Sequence, residues 1–190
     1  MKSLDQIVAG QIFLVVCVVF YLIWWSMSYR PGEAVSRAGG LRGALLLITA
    51  VCGVIGIILS LTGVNGMKPA AGVSFKMSGT WILIIGVIAY FVLMAVTRLF
   101  FDRPVTTELF LMTGWAMLEV SVVNALNGAG ILSDARLYIL LVVIAAASVI
   151  GLVLYVCYYR MEEWKAFYTA MVPLAADGAG MVILLLMAVL

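Results

Sequence analysis

The hydrophobic positions of this chain fall into six long, unbroken runs with short polar breaks between them, near residues 7–28, 44–62, 80–100, 109–126, 137–159 and 167–190. The runs are continuous and do not alternate with period two, which predicts helices and argues against the strands of a membrane barrel. A helix rises about 1.5 Å per residue and a hydrocarbon core is about 30 Å thick, so about 20 apolar residues suffice to cross it. The expected fold class is therefore all-α: a polytopic integral membrane protein, six transmembrane helices in a compact bundle with short loops, forming a single transmembrane domain over residues 1–190. Lys2 precedes the first run, but that run is long enough to span and ends in Trp24-Trp25 with no small-residue cleavage site, so it is read as a retained helix.

The breaks carry turn chemistry. Arg30-Pro31-Gly32, Asn65-Gly66, Lys68-Pro69, Arg103-Pro104 and Asn127-Gly128 all interrupt helices, and none of these connections has room for a folded domain. Any site must then be built from the helices or their ends, because irregular backbone exposed to lipid leaves polar groups unsatisfied.

Composition strengthens the membrane reading. Hydrophobic residues make up 66% of the 190 and charged residues 11%, too little polarity for the shell of a water-soluble domain. A net charge of +2, with Lys and Arg scattered between apolar runs, gives no basic face for a nucleic-acid partner. Their placement bears on topology instead. The connections after the first, third and fifth helices hold Arg30, Arg37, Arg42, Arg98, Arg103, Arg160 and Lys165, against Lys2, Lys68, Lys76 and Arg136 on the other side. Seven against four makes the first group cytoplasmic and puts both termini outside, in what is expected to be a bacterial cytoplasmic membrane. Trp24, Trp25, Phe100, Phe101, Tyr158, Tyr159, Trp164 and Phe167 flank the cytoplasmic ends as interfacial anchors. Arg30, Arg37 and Arg42 lie within reach of anionic headgroups, and Glu162 and Glu163 beside Arg160 and Lys165 form a locally neutralised turn.

Histidine is absent, which removes the commonest metal ligand and general base. Cys17, Cys52 and Cys157 stand singly inside apolar runs and read as small buried residues. No cofactor is implied and no enzyme is expected. A lipid-directed enzyme would use rim carboxylates such as Asp102, Glu108, Glu162 and Glu163, yet no metal-binding spacing joins them.

Two carboxylates stand apart. Glu119 and Asp177 lie near the middle of the fourth and sixth runs, where an acid is costly and persists only with a partner or a task. No Lys, Arg or His shares that depth, so each carboxyl either stays protonated or holds a cation from outside the protein. Three readings are open. The acids hydrogen-bond a neighbouring helix as structural glue, they bind a proton or a small cationic solute during transport, or they pair with a cationic helix of another protein.

Spacing adds detail. Met112, Trp115 and Glu119 follow one another at intervals of 3 and 4, which sets an indole one turn from the carboxylate, as cation–π recognition of an amine needs and as plain packing also produces. Asn124 and Asn127, with Thr113, lie on another face of the same helix, so it is expected between neighbours and away from the rim, with Asn124 and Thr113 as further substrate- or ion-binding candidates. Ala170, Pro173, Asp177 and Gly180 share a face of the last helix, where Pro173 frees the Thr169 carbonyl. Gln11 and Tyr90 are further hydrogen-bonding candidates in the bundle. Gly56 with Ser60, and Ala147 with Gly151, have the spacing of close helix contacts. A recurring tetrad, Leu47-Ile48-Thr49-Ala50, Leu111-Met112-Thr113-Gly114 and Phe167-Tyr168-Thr169-Ala170, leaves open a repeated helical hairpin.

The leading expectation is a small transporter or channel for a proton or small cationic solute, with Glu119 and Asp177 as the charge-bearing site and Trp115 as a wall. Its rival is a non-catalytic membrane-complex subunit or assembly factor whose carboxylates pair with a partner helix. Six short helices enclose little volume, which makes a homodimer plausible.

Overall fold

The computed structural model describes residues 2–31, 39–72, 74–101 and 107–189. Gly32, Arg37, Asp102, Arg103 and Pro104 lie outside the described residues. Six helices account for nearly all of the rest: α1 Ser3–Ser28, α2 Gly39–Gly66, α3 Gly79–Phe101, α4 Thr107–Gly128, α5 Asp134–Cys157 and α6 Glu163–Val189, with a 3-10 turn at Tyr158–Arg160. All six are long and apolar enough to cross a membrane. Their circumference is apolar on every side, so packing hides one face and leaves large hydrophobics such as Leu47 and Ile58 of α2, Ile88 and Leu99 of α3 and Val142 of α5 on the outside. A surface of that kind is stable against hydrocarbon and unstable against water.

Each helix begins or ends a few residues beyond its apolar run, for local reasons. Asp5 accepts from the Lys2 backbone N–H at 3.2 Å and closes the first turn of α1 four residues ahead of the expected start. Ser133 caps α5, its hydroxyl accepting from the Arg136 N–H at 3.4 Å, so the helix opens at Asp134 before the hydrophobic stretch begins. The expected fifth helix ran to residue 159, whereas the α-helix closes at Cys157 and the chain tightens into the 3-10 turn.

The closest packing joins α1 to α2, antiparallel, through small residues. A Cβ on Gly10 would sit 2.7 Å from Ser60 N and 2.8 Å from Gly56 O; one on Gly63 would sit 2.7 Å from Ser3 O. Only glycine admits backbones this near, which is what the Gly56 and Ser60 spacing predicted. The other side of α1 packs on α6, with Val18 against Gly178. α5 joins α6 to α4, and Gly151 of α5 takes up Met112 of α4 as its spacing with buried Ala147 suggested. α3 leans on α4 alone among its principal contacts, seating Met117 against Gly86. The core consists of Ile7, Val122, Val123, Leu126, Leu137, Leu140, Ile144 and Leu184 near the end that carries both termini, and of Leu14, Val18, Leu118 and Met181 at mid-height. Trp115 packs against both groups.

Candidate functional site

Burial without compensation marks the site. Glu119 is 1% exposed and Gln11, on α1, is 0% exposed; Gln11 Nε2 donates to Glu119 Oε1 at 3.0 Å, a hydrogen bond between residues 108 positions apart. The remaining oxygens, Gln11 Oε1 and Glu119 Oε2, are buried with no hydrogen-bond partner among the described residues. Ionised, Glu119 is a buried charge matched by one amide; protonation removes that charge and turns Oε2 into a donor. Asp177, 8% exposed, forms no hydrogen bond or ion pair with any described residue. Such groups are expensive inside a protein and are commonest where they serve a ligand.

The sequence reading placed both acids around one cavity with Trp115 as its wall. A cleft of about 1160 Å³ does run along the bundle between α1, α2, α4 and α6, and Asp177 and Trp115 line it together. Glu119 is not among its lining residues; its side chain pairs with Gln11 of α1 instead. The two carboxylates therefore occupy adjacent but different surroundings, one beside a large cavity and one sealed with an amide. The α6 face predicted from spacing also lies along the cleft, with Ala170, Pro173 and Asp177 lining it. Gly180, one turn on, leaves room for the Trp115 ring, whose nearest atom would be 3.6 Å from a Cβ there.

The other candidates have structural employment. Asn124 borders the cleft but is engaged by the α2–α3 connection: its Nδ2 donates to Met77 O at 2.7 Å and its Oδ1 accepts from Met77 N at 3.2 Å. Thr113 donates to Leu109 O at 2.9 Å, a bond within its own helix that Thr49 repeats with Leu45 O. Tyr90 is half-buried and meets Phe110, a residue of the cleft lining, edge-on, 5.9 Å between ring centres, without lining the cleft itself. Of the candidate residues, then, Asp177 and Trp115 share the cleft, Glu119 and Gln11 share a buried bond beside it, and Thr113 and Tyr90 stand apart.

Apolar-run counting passed over a latch at the end carrying the termini. Lys76 Nζ donates to Asp134 Oδ1 at 2.6 Å, and Asn127 Nδ2 reaches the same oxygen at 3.1 Å and Leu132 O at 2.9 Å. The hydrogen bond to Asp134 pushes the Lys76 ammonium up from its ordinary value. Phe75 packs on Gly128, and Ala70 N donates to Gly128 O at 2.9 Å, so the α2–α3 connection is fastened over the end of α4 with Phe75 and Met77 beside the cleft. Glu108 lines the opposite end. Among the described residues no group of three His, Cys, Asp or Glu side chains is placed to hold a metal ion. Nor does likeness to other proteins supply a ligand: no family model, no curated protein and no solved structure matches this chain.

Proposed function

We propose that this bundle is an integral membrane transporter, termini outward, that moves a cationic solute in exchange for a proton on Asp177. The observation that carries the reading is a carboxyl with no partner among the described residues, beside a cleft whose described lining contains no Lys or Arg. A carboxylate so placed attracts one positive charge and cannot hold two, so solute and proton compete for it, and competition at a site open in turn to either side couples their movements. Trp115 brings its indole ring to the same cleft, beside Gly180 and so one turn of α6 from Asp177. Glu119 holds its place through Gln11, outside the cleft, and leaves the exchange to Asp177.

The test is flux in proteoliposomes loaded with a pH-sensitive dye. An inward gradient of tetramethylammonium, which carries a permanent charge and has no neutral form to leak, should drive proton efflux in the wild type and none in Asp177→Asn. Equal efflux from both proteins would remove Asp177 from the mechanism. Glu119→Gln should retain measurable exchange with an altered rate, because its side chain is outside the cleft.

A further inference from the structure

The proposed transport site has a property that narrows its substrate. The cleft's volume of about 1160 Å³ exceeds the range of about 300–1,000 Å³ usual for sites that enclose drug-sized ligands, and its walls are chiefly aliphatic and aromatic. A small inorganic cation would bring its hydration cost into this space and find one carboxyl at mid-height, where hard cations require about six oxygen ligands. The polar side chains nearest along α6 and α4 do not close that gap: Thr169 is two turns from Asp177, and Ser121 donates its hydroxyl to Met117 O at 2.7 Å. An organic cation with its charge spread over an apolar body has the opposite requirements. It is weakly hydrated, it gains by burying hydrocarbon and it needs a single counter-charge with aromatic faces around it.

The cleft meets each of those needs. Among the described residues, Asp177 is the charged group of its lining at mid-height, and it is acidic. Tyr21, Trp25, Phe110 and Trp115 bring aromatic rings to its walls, and α2 contributes an aliphatic side through Val54, Ile57 and Leu61. Resting on the transport reading above, we infer that the substrate is a bulky amphiphilic organic monocation, seated with its charge at Asp177 and its apolar body between Trp115 and the α2 wall. Tetraphenylphosphonium is a probe of this class, and triphenylphosphine oxide is a neutral compound of similar shape.

In nanodiscs, tetraphenylphosphonium should quench tryptophan fluorescence saturably and should displace tetramethylammonium from exchange. Asp177→Asn should weaken its binding at least tenfold, leaving the weaker binding of the neutral oxide unchanged. Trp115→Leu, which keeps the charge, should weaken the cation by about 3–30-fold. On the wild type, saturating tetraphenylphosphonium should shield Asp177 from a hydrophobic carbodiimide, read by mass spectrometry, so the inference does not hang on the folding of a variant. Equal affinity of wild type and Asp177→Asn, or unshielded labelling of Asp177, would overturn the inference. Asp177-dependent exchange of tetramethylammonium that tetraphenylphosphonium does not inhibit would overturn the substrate class and leave the transport reading intact. Asp177-dependent binding of tetraphenylphosphonium without any exchange would do the reverse.

Discussion

Replacing Gln11 by Met keeps a side chain of similar length and removes the amide that donates to Glu119. Neither residue is reached by bulk solvent, so the lost bond has no ready substitute. Depriving a buried polar group of its partner costs about 1–3 kcal/mol. At about 2–4 °C per kcal/mol for a chain of this length, Gln11→Met should melt about 2–12 °C below the wild type. Glu119→Met alone should fall by a comparable amount, since it strands the Gln11 amide. The double variant should behave differently. It removes the hydrogen bond together with the two oxygens, Gln11 Oε1 and Glu119 Oε2, that have no partner even in the native pair. Apolar replacement of both members of a buried polar pair is often neutral or stabilising, so the double variant should melt at or above the wild type. Tryptophan fluorescence during heating in one detergent measures all four proteins. Additive losses in the double variant would refute the reasoning, because they would show that the two side chains act independently.

Gly10→Ala should cost at least about 1–3 kcal/mol, since its methyl would meet backbone atoms of Ser60 and Gly56 that cannot rotate away, whereas Gly40→Ala, with nothing within 4 Å, should be neutral or slightly stabilising; the same melts check both. Lys76→Met should leave the melting temperature almost unchanged, because both partners of its ion pair are exposed, yet it should speed hydrogen exchange in the described part of the α2–α3 connection. The pH dependence of that exchange has a definite sign: Lys76 holds its proton more tightly in the fold than its ordinary value of 10.5, so its contribution is complete below that pH and is lost as alkali titrates the folded group.

The six helices were legible because an apolar run of about 20 residues has few alternatives to a helix, whatever it packs against. Their ends were less so. Lys2 to Asp5 and Ser133 to Arg136 are capping contacts among polar residues, which a count of hydrophobic positions treats as loop. Small-residue spacing was informative at Gly56 and Ser60, because close approach leaves the same signature whichever helix is the partner. At the site, cost was legible and arrangement was not. A carboxyl in mid-run announces itself, but the bond between Gln11 and Glu119 spans 108 positions, and only the packing of α1 across α4 decides that Glu119 turns to Gln11 while Asp177 lines the cleft. Asn124 shows the converse: a polar residue near the end of α4 attracted a ligand-binding expectation, and its amide proved to hold the Met77 backbone.

The account stands on one carboxyl exchanging its proton for a cation, and proton release on binding measures that exchange without vesicles or gradients. Adding tetraphenylphosphonium to the detergent-purified protein in weakly buffered solution should acidify the medium saturably for the wild type and leave it unchanged for Asp177→Asn. Binding with no acidification in the wild type, or the same acidification in the variant, would contradict it.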